Sequence, residues 1–445
     1  MTKKETIIAL DLGTTGNRAI AFDHTGSIMA QSYQEFQQYF PNPGWVEHDP
    51  MEILSTTLTV FKNVYKKLNP TSIAGIGITN QRETIVMWDK ESGQPCYNAI
   101  VWQCRRTTTR CQTLSPYQSM IKEKTGLPLD PYFSATKIEW LLENGHKINK
   151  KNILVGTIDS WIVWNLTNQK SHITDHSNAS RTMLYNINTN TYDEDLLALF
   201  NIPHHILPKI KNSAGHLATT DANITQTALP IKSIIGDQQA ALFCQCGSNT
   251  SKLKNTYGTG LFIMAPTGKK LIHSNQLITT VAWSRNNQIS YALEGSIFIG
   301  GSIIQWLRDG LKLIKSAEES ETLAQSIDSN DNVYFVPALS GLGTPHWDPT
   351  ARGMIIGLTR GTTTAHITRA ALESLAYQTK DVINTISKNE PNLTFQSLLV
   401  DGGATDNQFL LQFQADILNI PIEKPKITET TAFGAALMAG IAANI

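Results

Sequence analysis

One local pattern narrows the folds open to this chain more than any other. An apolar, β-branched run, Thr6 to Leu10, ends at Asp11 and passes through Leu12-Gly13-Thr14-Thr15-Gly16-Asn17. A second apolar run, Arg18 to Asp23, follows. The second half of the chain repeats the design: Lys254-Asn255-Thr256, then Tyr257-Gly258-Thr259-Gly260, then Leu261 to Pro266. In both places a strand enters a tight turn rich in glycine and threonine and re-emerges as a strand. Glycine lets the backbone turn and approach a ligand, and successive amides with threonine hydroxyls can surround an anion. A plain hairpin with local side-chain hydrogen bonds has the same signature, so either turn alone decides nothing. The pattern does exclude two familiar nucleotide loops. The Gly-Lys-Ser/Thr of a Walker loop is missing, and a dinucleotide-binding turn leads into a helix, not a strand.

Around these turns strands and helices alternate. His24-Thr25-Gly26 reads as a turn before SIMAQS, which makes the opening a β-meander. Pro50 to Leu68 carries Ile53, Leu54, Leu58, Phe61, Tyr65 and Leu68 at three- and four-residue steps, which predicts a helix. Ile73 to Thr79 predicts a buried strand that stops at Asn80-Gln81-Arg82-Glu83. Ile231 to Ile235 predicts another, stopping at Gly236-Asp237 and feeding the helix-like DQQAALFCQ. Leu398 to Asp401 feeds Gly402-Gly403 and an amphipathic helix, and the Ala- and Gly-rich stretch from Thr431 to Asn444 reads as a packed helix. The expectation is an α/β fold of two duplicated lobes, residues 1–248 and 249–445, with an interlobe cleft suited to a small molecule.

Composition limits the partners. The 445 residues allow two or three domains, and 41% hydrophobic with 17% charged side chains is globular composition. The 37 basic and 37 acidic residues cancel, so no broad nucleic-acid surface is expected. No stretch reaches the roughly 18 apolar residues of a membrane span, and the N-terminus lacks the apolar region and cleavage site of a signal peptide. A cytoplasmic location is expected. Cys96, Cys104, Cys111, Cys244 and Cys246 make neither a disulfide framework nor a zinc set. His172 and His176 have a spacing that can bind zinc on a helix, but their Thr/Asn-rich surroundings argue against it.

Several polar residues stand where strands should end. Asp237 is either a helix N-cap or a carboxylate beside a substrate hydroxyl, accepting its proton as the oxygen attacks phosphorus. Arg82 and Glu83 are either solvated charges or a donor and acceptor for neighbouring hydroxyls. Trp102 and Tyr132 add aromatics in the same half, suited to the C–H face of a small polyol. Gly403, with Asn407 one turn into the following helix, either relieves crowding or leaves room for a base or ribose.

The three glycine turns in this order resemble the ATP-binding core shared by actin, hexokinase and the carbohydrate kinases, a ribonuclease H-like fold. Further segments sharpen this: PGWVEHDPMEI, GITNQRET, NAIVWQCRRT, DPYFSATK, NASRTMLYNI, GDQQAALF, KNTYGTG, YALEGSIF, IQWLRD, GLGTPHWDPTARGMIIGLTRG and VDGGATDNQFLLQFQADIL. Together they resemble the glycerol kinases of the FGGY carbohydrate kinase family over nearly the whole chain. The resemblance implies transfer of the γ-phosphoryl group of ATP to glycerol, giving sn-glycerol 3-phosphate and ADP, with Mg²⁺ as cofactor. It implies that Arg82, Glu83, Tyr132, Asp237 and Gln238 hydrogen-bond the glycerol hydroxyls, and that Trp102 and Phe262 contact its carbons. Asp237 would be the general base. Thr14, Thr15, Arg18 and Thr259 would hold the phosphates, Gly301, Gln305, Gly403 and Asn407 would line the nucleotide pocket, and Asp11 and Asp237 would lie near the metal. A homo-oligomer, dimer or tetramer, is a further expectation of the resemblance.

The chain departs from the family in three places. Leu12 stands where an amide is common and Gly16 where a hydroxyl is, so one or two phosphate or metal contacts are expected to be weaker. The segment 224–233, ITQTALPIKS, has no Gly or Arg, which puts inhibition by fructose 1,6-bisphosphate in doubt. Family chains normally continue past AFGAALMAG, whereas this sequence stops at Ile445, which puts a regulator-binding tail and full lobe stability in doubt. The alternatives are a kinase for another polyol or sugar, and a catalytically weak ATP-binding regulatory protein.

Overall fold

The computed structural model describes residues 5–146, 152–348 and 350–445. Packing divides the chain into two units. The first takes residues up to Cys244, Thr280–Tyr291 and Glu429–Ile445; the second takes Gln245–Thr279 and Ala292–Thr428. The expected boundary at residue 248 thus differs from the packing in two ways: the chain leaves the first unit at Cys244, and two later segments return to it. The return of the last segment has a clear physical cause. Its helix, Thr430–Ala443, is mostly alanine and glycine. Ala432, Ala436 and Ala439 pack with Ile7, Ala9 and Ile20, and the small side chains let the helix lie close to the strands.

In the first unit the opening meander is Thr6–Leu12, Gly16–Phe22 and Ile28–Glu35, paired antiparallel. Strand Thr6–Leu12 also pairs in parallel with Ile73–Asn80, which pairs in parallel with Pro230–Gly236. These central strands are nearly continuous apolar runs because both faces are covered. On one side lies Pro50–Tyr65, opened by Asp49, whose carboxylate accepts from the Met51 amide at 2.7 Å. It buries Ile53, Val60, Phe61 and Val64. The helix stops three residues short of the expected Leu68 because Lys67 and Leu68 bond back to Val64 and Tyr65 in tighter turns before Pro70.

Register then does what spacing alone could not. Asp11 lies beside Thr79, and Thr79 beside Ile235; Leu12, Asn80 and Gly236 are neighbours in the next row. Three parallel strands therefore deliver Asp11, Gln81-Arg82-Glu83 and Asp237 to the same carboxyl edge, where α/β sheets usually bind ligands.

The second unit rebuilds the theme. Lys252–Tyr257 pairs antiparallel with Leu261–Gly268 and parallel with Ser397–Asp401. Its core joins Leu253, Leu261, Ile263, Leu375, Val382, Val400 and Leu410, with the 26-residue helix Thr364–Asn389 supplying Leu375 and Val382. The helix expected directly after the Gly-Gly turn starts later, at Gln408. Gly403–Asp406 first forms a short 3₁₀ turn, and Asn407 caps the helix by accepting from the Leu410 amide at 2.9 Å.

Candidate active site

The first turn closes on itself through the Gly13 amide and the Gly16 carbonyl at 3.0 Å. Gln81 braces it: its backbone amide donates to the Leu12 carbonyl and its side-chain amide to the Gly13 carbonyl at 2.9 Å. The Trp102 indole donates to the Thr14 hydroxyl at 3.0 Å, so the expected carbon-contacting aromatic also orients an expected phosphate ligand. Thr15 is exposed. Arg18 forms an ion pair with Glu429 and lies over the Tyr33 ring, 5.2 Å from its centre. Leu12, where the resemblance makes an amide common, is fully buried in the core.

Asp11 faces Arg18 across the hairpin. Loss of water pushes its carboxyl up to about 7; Arg18 opposes that rise and the negative charge of Asp237 adds to it. Asp11 and Asp237 therefore sense one another. Among the described residues no set of three or more His, Cys, Asp or Glu side chains is arranged to hold a metal. Two acidic groups without a third suit Mg²⁺, which keeps water and takes substrate phosphate as its remaining ligands. The residues present fit that ion. The histidine pair does not have the helical spacing that would bind zinc, since strand Ile173–Asp175 separates His172 from His176, which only begins a short helix.

Beside the turn lies a buried polar cluster. Arg82, Glu83 and Tyr132 are each no more than 3% exposed. The Arg82 guanidinium reaches Gln239 at 3.2 Å, the Tyr132 hydroxyl at 3.4 Å and Asp237 at 3.3 Å. Asp237, at the start of helix Asp237–Cys246, accepts from the Gln238 amide at 2.6 Å; Gln238 is buried next to it. Glu83 sits at φ 62°, a conformation that costs a non-glycine residue energy and persists only where its surroundings hold it. Tyr132 is positioned from behind: its amide donates to Asp130, its carbonyl accepts from the buried Lys137 at 2.6 Å, and the Trp102 ring meets it edge-on at 5.7 Å. Burial brings the Lys137 ammonium down to about 8.

Sequence reasoning assigned no role to Arg181, which completes this cluster. It is fully buried, donates to Glu83 at 2.6 Å and to the Tyr132 hydroxyl at 3.4 Å, and lies over the Tyr132 and Phe133 rings. Its surroundings in the sequence, Asn178-Ala179-Ser180-Arg181-Thr182, are mostly polar and gave no signal of burial.

In the second unit the structure gathers Thr259, Gly301, Gln305, Gly403 and Asn407 around one cavity of about 370 Å³. The second turn closes as the first does, through Gly258 amide and Gly260 carbonyl at 3.0 Å. The amides of Gly300 and Gly301 then donate back to Thr259 and Gly258, which sets Gly301 at the cavity wall. Gly402 is required: at φ 95° its backbone passes so close to Tyr257 that a Cβ would stand 2.3 Å from the Tyr257 carbonyl oxygen. Gly403 has open space instead. Asp401 anchors this turn by accepting from Thr256 at 2.5 Å and Gln245 at 2.6 Å. Arg308, Glu318, Ser320 and Asp406 also line the cavity and carried no signal in the sequence reading. Phe262 stands half-buried on strand Leu261–Gly268 opposite Thr256 and does not line the cavity.

The chain is similar to known proteins over nearly its whole length. Residues 6–244 match the N-terminal domain, and residues 253–443 the C-terminal domain, of the FGGY family of carbohydrate kinases. The chain is 51% identical to glycerol kinase 2 of Thermotoga maritima, over 98% of this chain and 90% of that protein. It is 53% identical to glycerol kinase of Rippkaea orientalis, over 98% and 89%. The solved structure of Plasmodium falciparum glycerol kinase with ADP superposes with a TM-score of 0.91 at 36% identity, covering 99% of this chain and 90% of that one. A gluconate kinase from Lactobacillus acidophilus, 23% identical with a TM-score of 0.87 over 98% and 89%, shares the fold. The chain therefore belongs to the FGGY family of carbohydrate kinases.

Proposed function

We propose that this kinase transfers the γ-phosphoryl group of ATP to glycerol, forming sn-glycerol 3-phosphate and ADP. The observation that carries the reading is the cluster of buried Arg82, Glu83 and Tyr132 with half-buried Asp237, in which donors and acceptors alternate at one strand edge beside the first glycine turn. A triol needs that alternation, because each hydroxyl both donates and accepts. The relatives' names supply the substrate.

In this reading Asp237 is the general base. Its contacts with Arg82 and the Gln238 amide fix the carboxylate's direction. Asp237 takes the hydroxyl proton as the glycerol oxygen bonds to phosphorus, and the bridging P–O bond breaks with its electrons leaving on ADP. Arg82, Glu83 and Gln238 hold the hydroxyls, with Tyr132, Trp102 and Phe262 contributing as the resemblance implies. Thr14, Thr15, Arg18 and Thr259 hold phosphates, and Gly301, Gln305, Gly403 and Asn407 hold the nucleoside. Asp11 and Asp237 would hold Mg²⁺, which when bound would neutralise phosphate charge. No helix among the described residues is long and apolar enough to cross a membrane, and we expect a cytoplasmic homo-oligomer.

Coupled ADP release with purified protein tests the reading, with and without glycerol and against a panel of other polyols and sugars. Glycerol-dependent ADP formation that exceeds the rest of the panel is expected. A stronger response to another polyol would replace glycerol as substrate, and no polyol-dependent ADP would overturn the kinase reading.

A further inference from the structure

The first turn lacks a side chain at position 16, and the space that side chain would take is filled by a residue from the neighbouring strand. A Cβ built on Gly16 would lie 2.7 Å from the Tyr33 hydroxyl oxygen and 2.8 Å from the ring carbon that bears it. The Tyr33 hydroxyl, with the Gln34 carbonyl also at 2.7 Å, therefore occupies the space beside Gly16 into which a side chain there would extend. Strand register accounts for this. Arg18 pairs directly with Tyr33 across strands Gly16–Phe22 and Ile28–Glu35, and Gly16 is two residues from Arg18, so all three share one sheet face. Asp11 is the cross-strand partner of Arg18 on its other side. The row Asp11, Arg18, Tyr33 thus runs along the turn, with the tyrosine ring under the guanidinium at 5.2 Å. Tyr33 is 46% exposed despite this packing, so its ring is held while its edge stays accessible to a ligand.

We infer that Tyr33 is a phosphate-binding residue of this kinase, its phenolic O–H donating to an ATP phosphate oxygen in place of the hydroxyl missing at position 16. Its ring also holds Arg18 in the same row. The inference rests on the reading that the first turn receives ATP phosphate. It replaces the expectation that Gly16 weakens the turn: the donor is kept and delivered from the next strand.

Tyr33→Phe tests this, because it keeps the ring on Arg18 and removes only the hydroxyl. Affinity for ADP with Mg²⁺ is measured by calorimetry, and kcat and KM for ATP and for glycerol by coupled assay. One charge-assisted hydrogen bond lost at a partly solvated site should weaken ADP binding and raise the KM for ATP by roughly tenfold, with the KM for glycerol unchanged. Tyr33→Leu, which also removes the ring from Arg18, should cost more than Tyr33→Phe on the same two constants. ADP affinity and KM for ATP equal to the unaltered protein's in Tyr33→Phe would overturn the inference. So would equal increases in the two KM values, which would mark a structural role. No polyol-dependent ADP release by the unaltered protein would overturn the kinase reading and this inference together. A normal rate there with a silent Tyr33→Phe would overturn this inference alone.

Discussion

Asp11 is a carboxylate held where it lowers stability, and replacing it separates its structural cost from its use. Its carboxyl titrates at about 7 in the fold against an ordinary 3.8, mainly because it is taken out of water. An acid whose folded value is raised binds its proton more tightly in the folded state. Folding stability therefore falls as pH rises from about 4 to about 7, and the full penalty stands above 7. The shift corresponds to at most about 4 kcal/mol. Asp11 keeps part of its contact with water, so roughly 1–3 kcal/mol is expected for Asp11→Asn, which keeps the shape and removes the charge. Urea denaturation at pH 8 and pH 5, with chelator present, is the assay. The variant should be the more stable protein at pH 8, and its advantage should shrink at pH 5. Adding Mg²⁺ and ADP should raise the stability of the unaltered protein more than that of the variant, and turnover should fall in the variant. A variant less stable than the unaltered protein at pH 8 would refute the reasoning, since it would mean that the carboxylate contributes to the fold.

Other perturbations test the remaining parts. Asp237→Asn should lower kcat by roughly 10² or more while ADP affinity stays close to normal, as expected for loss of a general base; near-normal turnover would remove Asp237 from that role. Gly402→Ala should cost about 2–4 kcal/mol in unfolding experiments and weaken ADP binding, because the new Cβ would meet the Tyr257 carbonyl at 2.3 Å on a backbone of φ 95°; an unchanged melting temperature would contradict the close approach. Glu429→Gln leaves Arg18 without its opposing carboxylate, so the KM for ATP should fall by up to about fivefold, the scale of a partly exposed ion pair; a rise in KM would show that Glu429 is needed to aim Arg18.

What could be read in the sequence was whatever lay at the end of an apolar run. Asp11, Arg82 and Asp237 could be singled out because the mostly apolar strands Thr6–Leu12, Ile73–Asn80 and Pro230–Gly236 end at or next to them. The parallel register that aligns them was not legible, since nothing in a single strand states its neighbour. Arg181 was missed for the same reason: its partner Glu83 is 98 residues away, and a cation buried against two rings follows no helical or strand period. The chain division at 248 failed to foresee the return of Thr430–Ala443, because an all-small apolar helix shows that it is covered without showing which sheet covers it. Leu12 was read as a missing ligand, whereas it is fully buried in the first unit's core.

The charge arrangement at the strand edge explains how a chain with no net charge can serve a polyanion and a neutral triol. Arg82 and Arg181 face Glu83 and Asp237, so the buried cluster is balanced before any ligand arrives. An unbalanced buried charge would be very costly, whereas a balanced set can present fixed donors and acceptors to a neutral substrate at low reorganisation. The neighbouring turn follows the same rule with different parts. Arg18 is already matched by Glu429, and Asp11 carries a carboxyl whose ionisation burial disfavours. In the proposed reading, backbone amides and the hydroxyls of Thr14, Thr15 and Tyr33 add their dipoles to Arg18 around the phosphates. Such groups bind through dipoles and direction, so they need no excess of lysine or arginine anywhere in the sequence. Zero net charge is thus compatible with phosphate binding because the charge is balanced residue by residue at the site itself.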